Sequence, residues 1–231
     1  MHRRARSQEA KLRRAEDLLE AARTLAADRG GVRHITLAAV TEVAGLHPSA
    51  VRRYFASKEE LLLELAERGW RRWRDTLTAH LAGARGLTPP ETAAAVSTTL
   101  ASLPLFCDLL THVPLSLEGE VSIDRARRYK TSSFAAYDAI VDALSTASTM
   151  TAEQVQDLIA ATLGVTANLW QLAHPTATLA QLYVQEPRWG HAALEFEQRL
   201  TRLLQATAAG LTAAADLTAA AGHAVRADGG R

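Results

Sequence analysis

The 231-residue chain predicts an all-α protein, a small N-terminal three-helix unit followed by a larger helical body. Three observations lead there. Apolar residues recur at helical spacing, with charged residues between them. Ala, Leu, Arg and Glu, all good helix formers, are abundant, while Gly and Pro are few and fall between the periodic runs. No segment combines β-branched alternation with a hairpin turn, and no internal repeat is present.

The first helix is predicted from Gln8 to Asp28 on Leu12, Ala15, Leu18, Leu19, Ala22, Leu25 and Ala26. Gly30–Gly31 stops it, since glycine takes the left-handed conformation without a Cβ penalty. Thr36 caps a second helix from Leu37 to about Val43. Ala44, Gly45 and Leu46 form a turn. Pro48 suits the first turn of a third helix that reaches about Phe55. Ser57 with Glu60 has capping-box spacing and opens a fourth helix, from Lys58 to about His80. After a Gly83–Pro90 loop, a fifth helix follows Pro90 and another lies between Pro104 and Pro114. Ser122 opens a long helix to about Ala147. Thr151 with Gln154 repeats the capping box and opens a helix to about His174, striped by Val155, Leu158, Ile159, Thr162, Val165 and Leu169. Pro175 ends it. A short helix is expected over Thr178–Gln185 and a last one from about Gly190 to Gly210, burying Leu194, Leu200, Leu203 and Leu204. Residues 211–231 read as a weakly ordered Ala/Gly-rich tail.

The totals narrow the function classes. A single cysteine, Cys107, excludes an internal disulfide framework and a multi-Cys metal site, and fits a cytoplasmic setting. No apolar stretch of about 18 residues predicts a membrane span, so no membrane partner is expected. The basic start (Arg3, Arg4, Arg6) runs into a charged amphipathic segment rather than an apolar signal region. No P-loop, H-E-x-x-H, G-x-S-x-G or dinucleotide glycine pattern is present, so neither an enzyme nor a cofactor is expected. His80, His112, His174, His191 and His223 lack paired ligand spacing, and no metal site is expected. The net charge of +1 hides an asymmetry. Residues 1–58 carry 12 Lys and Arg against 6 Asp and Glu; residues 59–231 carry 14 against 19. A basic head on an acidic body points to a polyanion partner for the head, although a basic tail can also serve solubility alone.

The head concentrates its pattern in one stretch, "ITLAAVTEVAGLHPSAVRRYFASKEELL", Ile35 to Leu62. Helix, glycine turn and short helix make a helix-turn-helix. Leu37, Val40, Val43, Leu46, Val51 and Phe55 are its expected core. With Val51 inward and about 100° per residue, Ser49 and Arg53 point directly away, flanked by Ala50 and Arg52. His47 and Ser49 lie near a helix start that favours an anion. Small residues allow close backbone approach, and Arg can fork onto a guanine edge or a phosphate.

Thr36, Val40, Ala44-Gly45-Leu46, Pro48, Val51, Tyr54-Phe55 and Ser57-Lys58-Glu59-Glu60-Leu61 together resemble the N-terminal domain of TetR-type transcriptional regulators, over about residues 8–65. The resemblance implies double-stranded DNA as partner. Thr36, Tyr54 and Lys58 would hold phosphates; Ser49, Ala50, Arg52 and Arg53 would face the bases, beside His47 and Pro48. The family usually places an aromatic where Arg52 stands, and often a Ser or Thr cap at His47. Arg52 therefore reads best as a charged substitute for a phosphate contact, and Arg53 as the base reader. The domains expected are 1–57 for DNA binding and 58–210 for regulation and dimerisation, with 211–231 as tail.

The resemblance further implies a homodimer paired through helices near 151–173 and 190–209, and an effector pocket in each body. A neutral or hydrophobic small molecule fits the mostly apolar helices. Phe106, Cys107, His112, Tyr129, Phe134, Tyr137, Asn168, Trp170 and Gln171 are the candidate lining, though core and interface packing would use the same residue types. Trp70 and Trp73 read as packing residues. The expected activity is a ligand-released repressor on a palindromic operator. The rival is a helical protein-binding module without DNA activity.

Overall fold

A computed structural model describes residues 2–47, 50–192 and 195–228, with side chains over 8–47, 50–189 and 195–214. The chain is helical, in the order α1 (His2–Arg29), α2 (Leu37–Val43), α3 (Lys58–His80), α4 (Pro89–Ala101), α5 (Pro104–His112), α6 (Ile123–Ala147), α7 (Ala152–Ala173), α8 (Ala177–Gln185) and α9 (Phe196–Asp228). Among the described residues there is no strand, only an isolated bridge between Leu87 and Ser148. No single described helix is long and apolar enough to cross a membrane.

The chain forms two compact units that interleave along the sequence: residues 1–71 with 103–134, and residues 72–102 with 135–231. In the first unit α1 ends as its glycines dictate. Gly30 adopts φ 71°, and the Gly31 N–H donates back to the Ala26 carbonyl at 2.9 Å. A 3₁₀ turn, Val32–His34, leads to α2, whose cap is Thr36: its hydroxyl accepts the Ala39 N–H at 3.2 Å. Gly45 takes φ 64°, which a β-branched residue could hardly adopt, and so permits the turn after α2. Ser57 caps α3 by accepting from the Glu60 N–H, while the Glu60 carboxylate reaches back to the Ala56 N–H at 2.6 Å.

The core of this unit holds Leu18, Leu19, Ala22, Val32, Ile35, Val40, Val51, Phe55 and Leu61–Leu63. Three expectations are corrected. Val43 is exposed, because it ends a helix of only 7 residues and lies beyond the reach of α1 packing; Leu12 is exposed as well. In place of a helix reaching Phe55, a 3₁₀ turn spans Val51–Arg53. Its tighter winding still leaves Val51 buried and both arginines out.

Close approach and a buried charge fix α3 against α5 and α6. A Cβ on Gly69 would stand 2.2 Å from the Phe106 ring, so only glycine lets that ring lie on the α3 backbone. Phe106 meets Trp70 edge to face at 5.4 Å, and the Trp70 indole N–H donates to the Tyr129 hydroxyl at 3.1 Å. Arg125 of α6, with a side chain 4% exposed, forks onto Glu67 at 3.1 Å and Glu64 at 3.2 Å. Glu64 also pairs with Arg68, and Arg68 pairs bidentately with Glu16 of α1. That hydrogen bond holds the Glu16 carboxyl below its ordinary range.

In the second unit α4 and α7 pack on α9. Small residues let α4 and α9 approach, with Ala93, Ala95 and Ala208 buried and the Ser97 and Thr201 hydroxyls 2.8 Å apart. Trp73 is buried and its indole N–H donates to Thr99. The expected capping box forms at α7, Thr151 with Gln154, and a second one that the sequence reading did not name, Thr88 with Glu91, starts α4. The α7 stripe is buried except for Val165, which is half-buried. Leu200 and Leu204 of α9 are buried while Leu203 is 38% exposed; Leu194 lies outside the described residues. The helix also continues past Gly210 to Asp228. The Ala-rich sequence after Gly210 explains this, since alanine needs little burial to remain helical and one glycine costs only about 1 kcal/mol.

Gly69→Ala should lower unfolding stability by about 1–3 kcal/mol, through overpacking against Phe106. Denaturant titration checks this; an unchanged midpoint would mean that the ring does not rest on α3.

Candidate nucleic-acid interface

The segment between α2 and α3 carries two adjacent arginines. Arg52 and Arg53 are exposed at the end of the Val51–Arg53 turn. Neither pairs with a carboxylate among the described residues. Burial of Val51 and Phe55 on either side fixes the backbone, so the guanidinium groups are presented outward by their neighbours' packing. Tyr54, between Arg53 and Phe55, is half-buried, as is Ala50; His47 is exposed. Pro48 and Ser49 lie outside the described residues.

The other predicted contacts sit at helix starts. Thr36 is exposed while its hydroxyl caps α2. Lys58 is the first residue of α3, and its Nζ lies 3.5 Å from the Arg33 carbonyl. A lysine here opposes the helix dipole, so an anion close by would offset the cost. Arg33 and Lys58 both disfavour protonation of His112, which places these cations in one electrostatic neighbourhood. Burial is the larger cause of that depressed imidazole pKa, with Asp108 acting in the opposite direction.

The candidate pocket residues divide between the two units. In the first, Phe106, Cys107 and Tyr129 are buried, His112 is half-buried and Phe134 is 58% exposed. Packing accounts for Phe106 and Tyr129 through Gly69 and Trp70. In the second, Tyr137, Trp170 and Gln171 are half-buried and Asn168 is exposed. Trp170 stacks on His174 at 3.8 Å and meets Phe196 edge-on at 5.0 Å. Among the described residues no cluster of His, Cys, Asp and Glu could hold a metal.

Sequence reasoning passed over Asp108, whose buried carboxylate accepts the Val32 N–H at 2.7 Å. The available signal was an acid inside the apolar run PLFCDLLTH. It also passed over Arg125, which no local pattern distinguishes from Arg127 and Arg128.

Comparison with known families decides the class. Residues 18–65 match the family described as bacterial regulatory proteins, tetR family, and residues 67–215 match the tetracyclin repressor-like C-terminal domain. The chain belongs to the TetR family. This TetR-family chain is therefore a DNA-binding transcriptional regulator, with a helix-turn-helix head and a larger helical C-terminal domain. The first match covers the turn that presents Arg52 and Arg53, together with Thr36 and Lys58. No curated protein matches the regulator.

Burial pushes the regulator's Cys107 thiol up to about 12. In the native state it should resist thiol reagents at pH 8, because the thiolate is the reactive form. It should react fully in denaturant. Rapid labelling of the folded protein, read by absorbance or mass, would contradict its burial.

Proposed function

We propose that the regulator is a cytoplasmic repressor that binds a palindromic operator as a homodimer and is released by a neutral or hydrophobic small molecule. The observation that carries the DNA reading is the exposed Arg52–Arg53 pair, without a carboxylate partner among the described residues, within the segment matching the tetR family. Arg53 is assigned to a base edge, and Arg52, Tyr54, Thr36 and Lys58 to phosphates. His47, Pro48, Ser49 and Ala50 are proposed as further DNA contacts. A dimer suits this arrangement, since two short readers about one DNA turn apart double the contacts and impose symmetry on the site.

Support for pairing comes from apolar surface on the second unit. Leu172, Leu179, Val184 and Leu203 are exposed, and α8 buries no residue of its own. Helices α7 and α9 are the proposed interface. Phe106, Cys107, His112, Tyr129 and Phe134 are the proposed effector contacts within the first unit, and Tyr137, Asn168, Trp170 and Gln171 those within the second. The mostly uncharged character of this set favours a neutral compound.

Gel shifts on the gene's own upstream DNA should give affinity that falls steeply with salt, through release of phosphate counterions. Arg53→Ala should cost roughly 1–3 kcal/mol and relax base preference. Lys58→Ala should weaken binding evenly across sequences and reduce the salt slope by about 1. Wild-type protein that ignores this DNA at low salt would refute the operator reading. Leu172→Glu with Leu203→Glu should yield monomers by light scattering; a persistent dimer would move the interface away from α7 and α9.

A further inference from the structure

The turn ahead of α2 has no cap of its own. Its N-cap residue is Gly31, which has no side chain to accept a hydrogen bond. The acceptor comes instead from Asp108, 76 residues further along the chain. Asp108 is on α5, within the segment that matches the C-terminal domain, whereas Val32 is within the match to the DNA-binding domain. The hydrogen bond is short at 2.7 Å, and Asp108 is only 5% exposed. A charged acceptor in such surroundings makes a stronger bond than a neutral one.

The local backbone is shaped around this carboxylate. Gly31 adopts φ 130°, and a Cβ on it would stand 3.0 Å from Asp108 Oδ2. The other oxygen faces His112, with Nε2 at 3.7 Å. Two residues assigned to phosphates, Thr36 and Lys58, adjoin the anchored turn. Arg33 belongs to the anchored turn, its carbonyl lies at Lys58 Nζ, and Thr36 begins α2 two residues after the turn. Directly after α5 the chain makes a π-helical turn, Val113–Leu117, that contains Pro114. Such wide turns interrupt the regular bond ladder, so α5 ends close to the latch it carries.

We propose that Asp108 is a positioning residue for operator binding, through which the C-terminal domain fixes the turn that places Thr36 and Lys58. It touches no DNA itself. The inference rests on the reading that these residues face the operator.

The test compares wild type, Asp108→Asn and Asp108→Ala for binding to upstream DNA, well below each protein's melting temperature. Asn keeps an oxygen acceptor of similar reach; Ala removes it. Affinity should fall about 10- to 100-fold for Ala, which is about 1.4–2.8 kcal/mol at tenfold per 1.4 kcal/mol. Asn should stay within about threefold of wild type, following the retained acceptor. Amide hydrogen exchange at Val32 should be slow in wild type and Asn and fast in Ala. Where Ala does not fold, the Asn protein and Asp108→Glu, whose longer arm shifts the turn, carry the comparison, with Glu binding more weakly than Asn. Folded variants that all bind like wild type would overturn the proposal, as would an Asn protein no better than Ala. If wild type itself binds no DNA, the operator reading fails instead.

Discussion

A guanidinium removed from water must be neutralised where it sits, and in the first unit that demand falls on Arg125. Glu64 and Glu67 lie one turn apart on α3, so one planar fork engages both. Losing one side of such a buried arrangement costs about 3–5 kcal/mol, because the partners stay desolvated and unpaired. Glu64 passes the constraint to Arg68, and Arg68 passes it to Glu16. Helices α6, α3 and α1 are thus held in one register. The exposed pairs on α1, such as Arg13 with Glu9, carry little by comparison, at most about 1 kcal/mol each.

That register gives the residues proposed to bind DNA their footing. Among the described residues Arg52 and Arg53 have no ion pair to hold them; their placement comes from the buried Val51 and Phe55 on either side. Lys58 starts the helix whose middle is fixed by Arg125 and by the Phe106 ring on Gly69. Cations held close together repel; burial is the main cause of the depressed His112 pKa, and Lys58 and Arg33 add to it in the same direction. A polyanion relieves that repulsion, and a basic head on an acidic body directs it to one end of the chain.

Much of this was legible because its causes are local. Gly30–Gly31, Thr36, Ser57 with Glu60 and Thr151 with Gln154 mark helix ends through bonds spanning a few residues. The exposure of Arg52 and Arg53 follows from periodicity around Val51. Val43 misled because periodicity cannot tell how far a neighbouring helix extends. The extent of α9 misled because an alanine-rich run carries no burial signal either way. Unreadable altogether were the pairings across long separations: Val32 with Asp108, Glu64 with Arg125, and Gly69 with Phe106. Each depends on which helices meet, and no spacing within the sequence encodes that.

The account's central claim is that this head reads DNA sequence as one half of a symmetric pair. Selection of bound DNA from a random pool by the full-length protein tests it most directly. The account predicts enrichment of an inverted repeat whose half-sites lie about one helical turn apart, centre to centre. Recovery of unenriched sequence, or of a single site without a repeat, would contradict it.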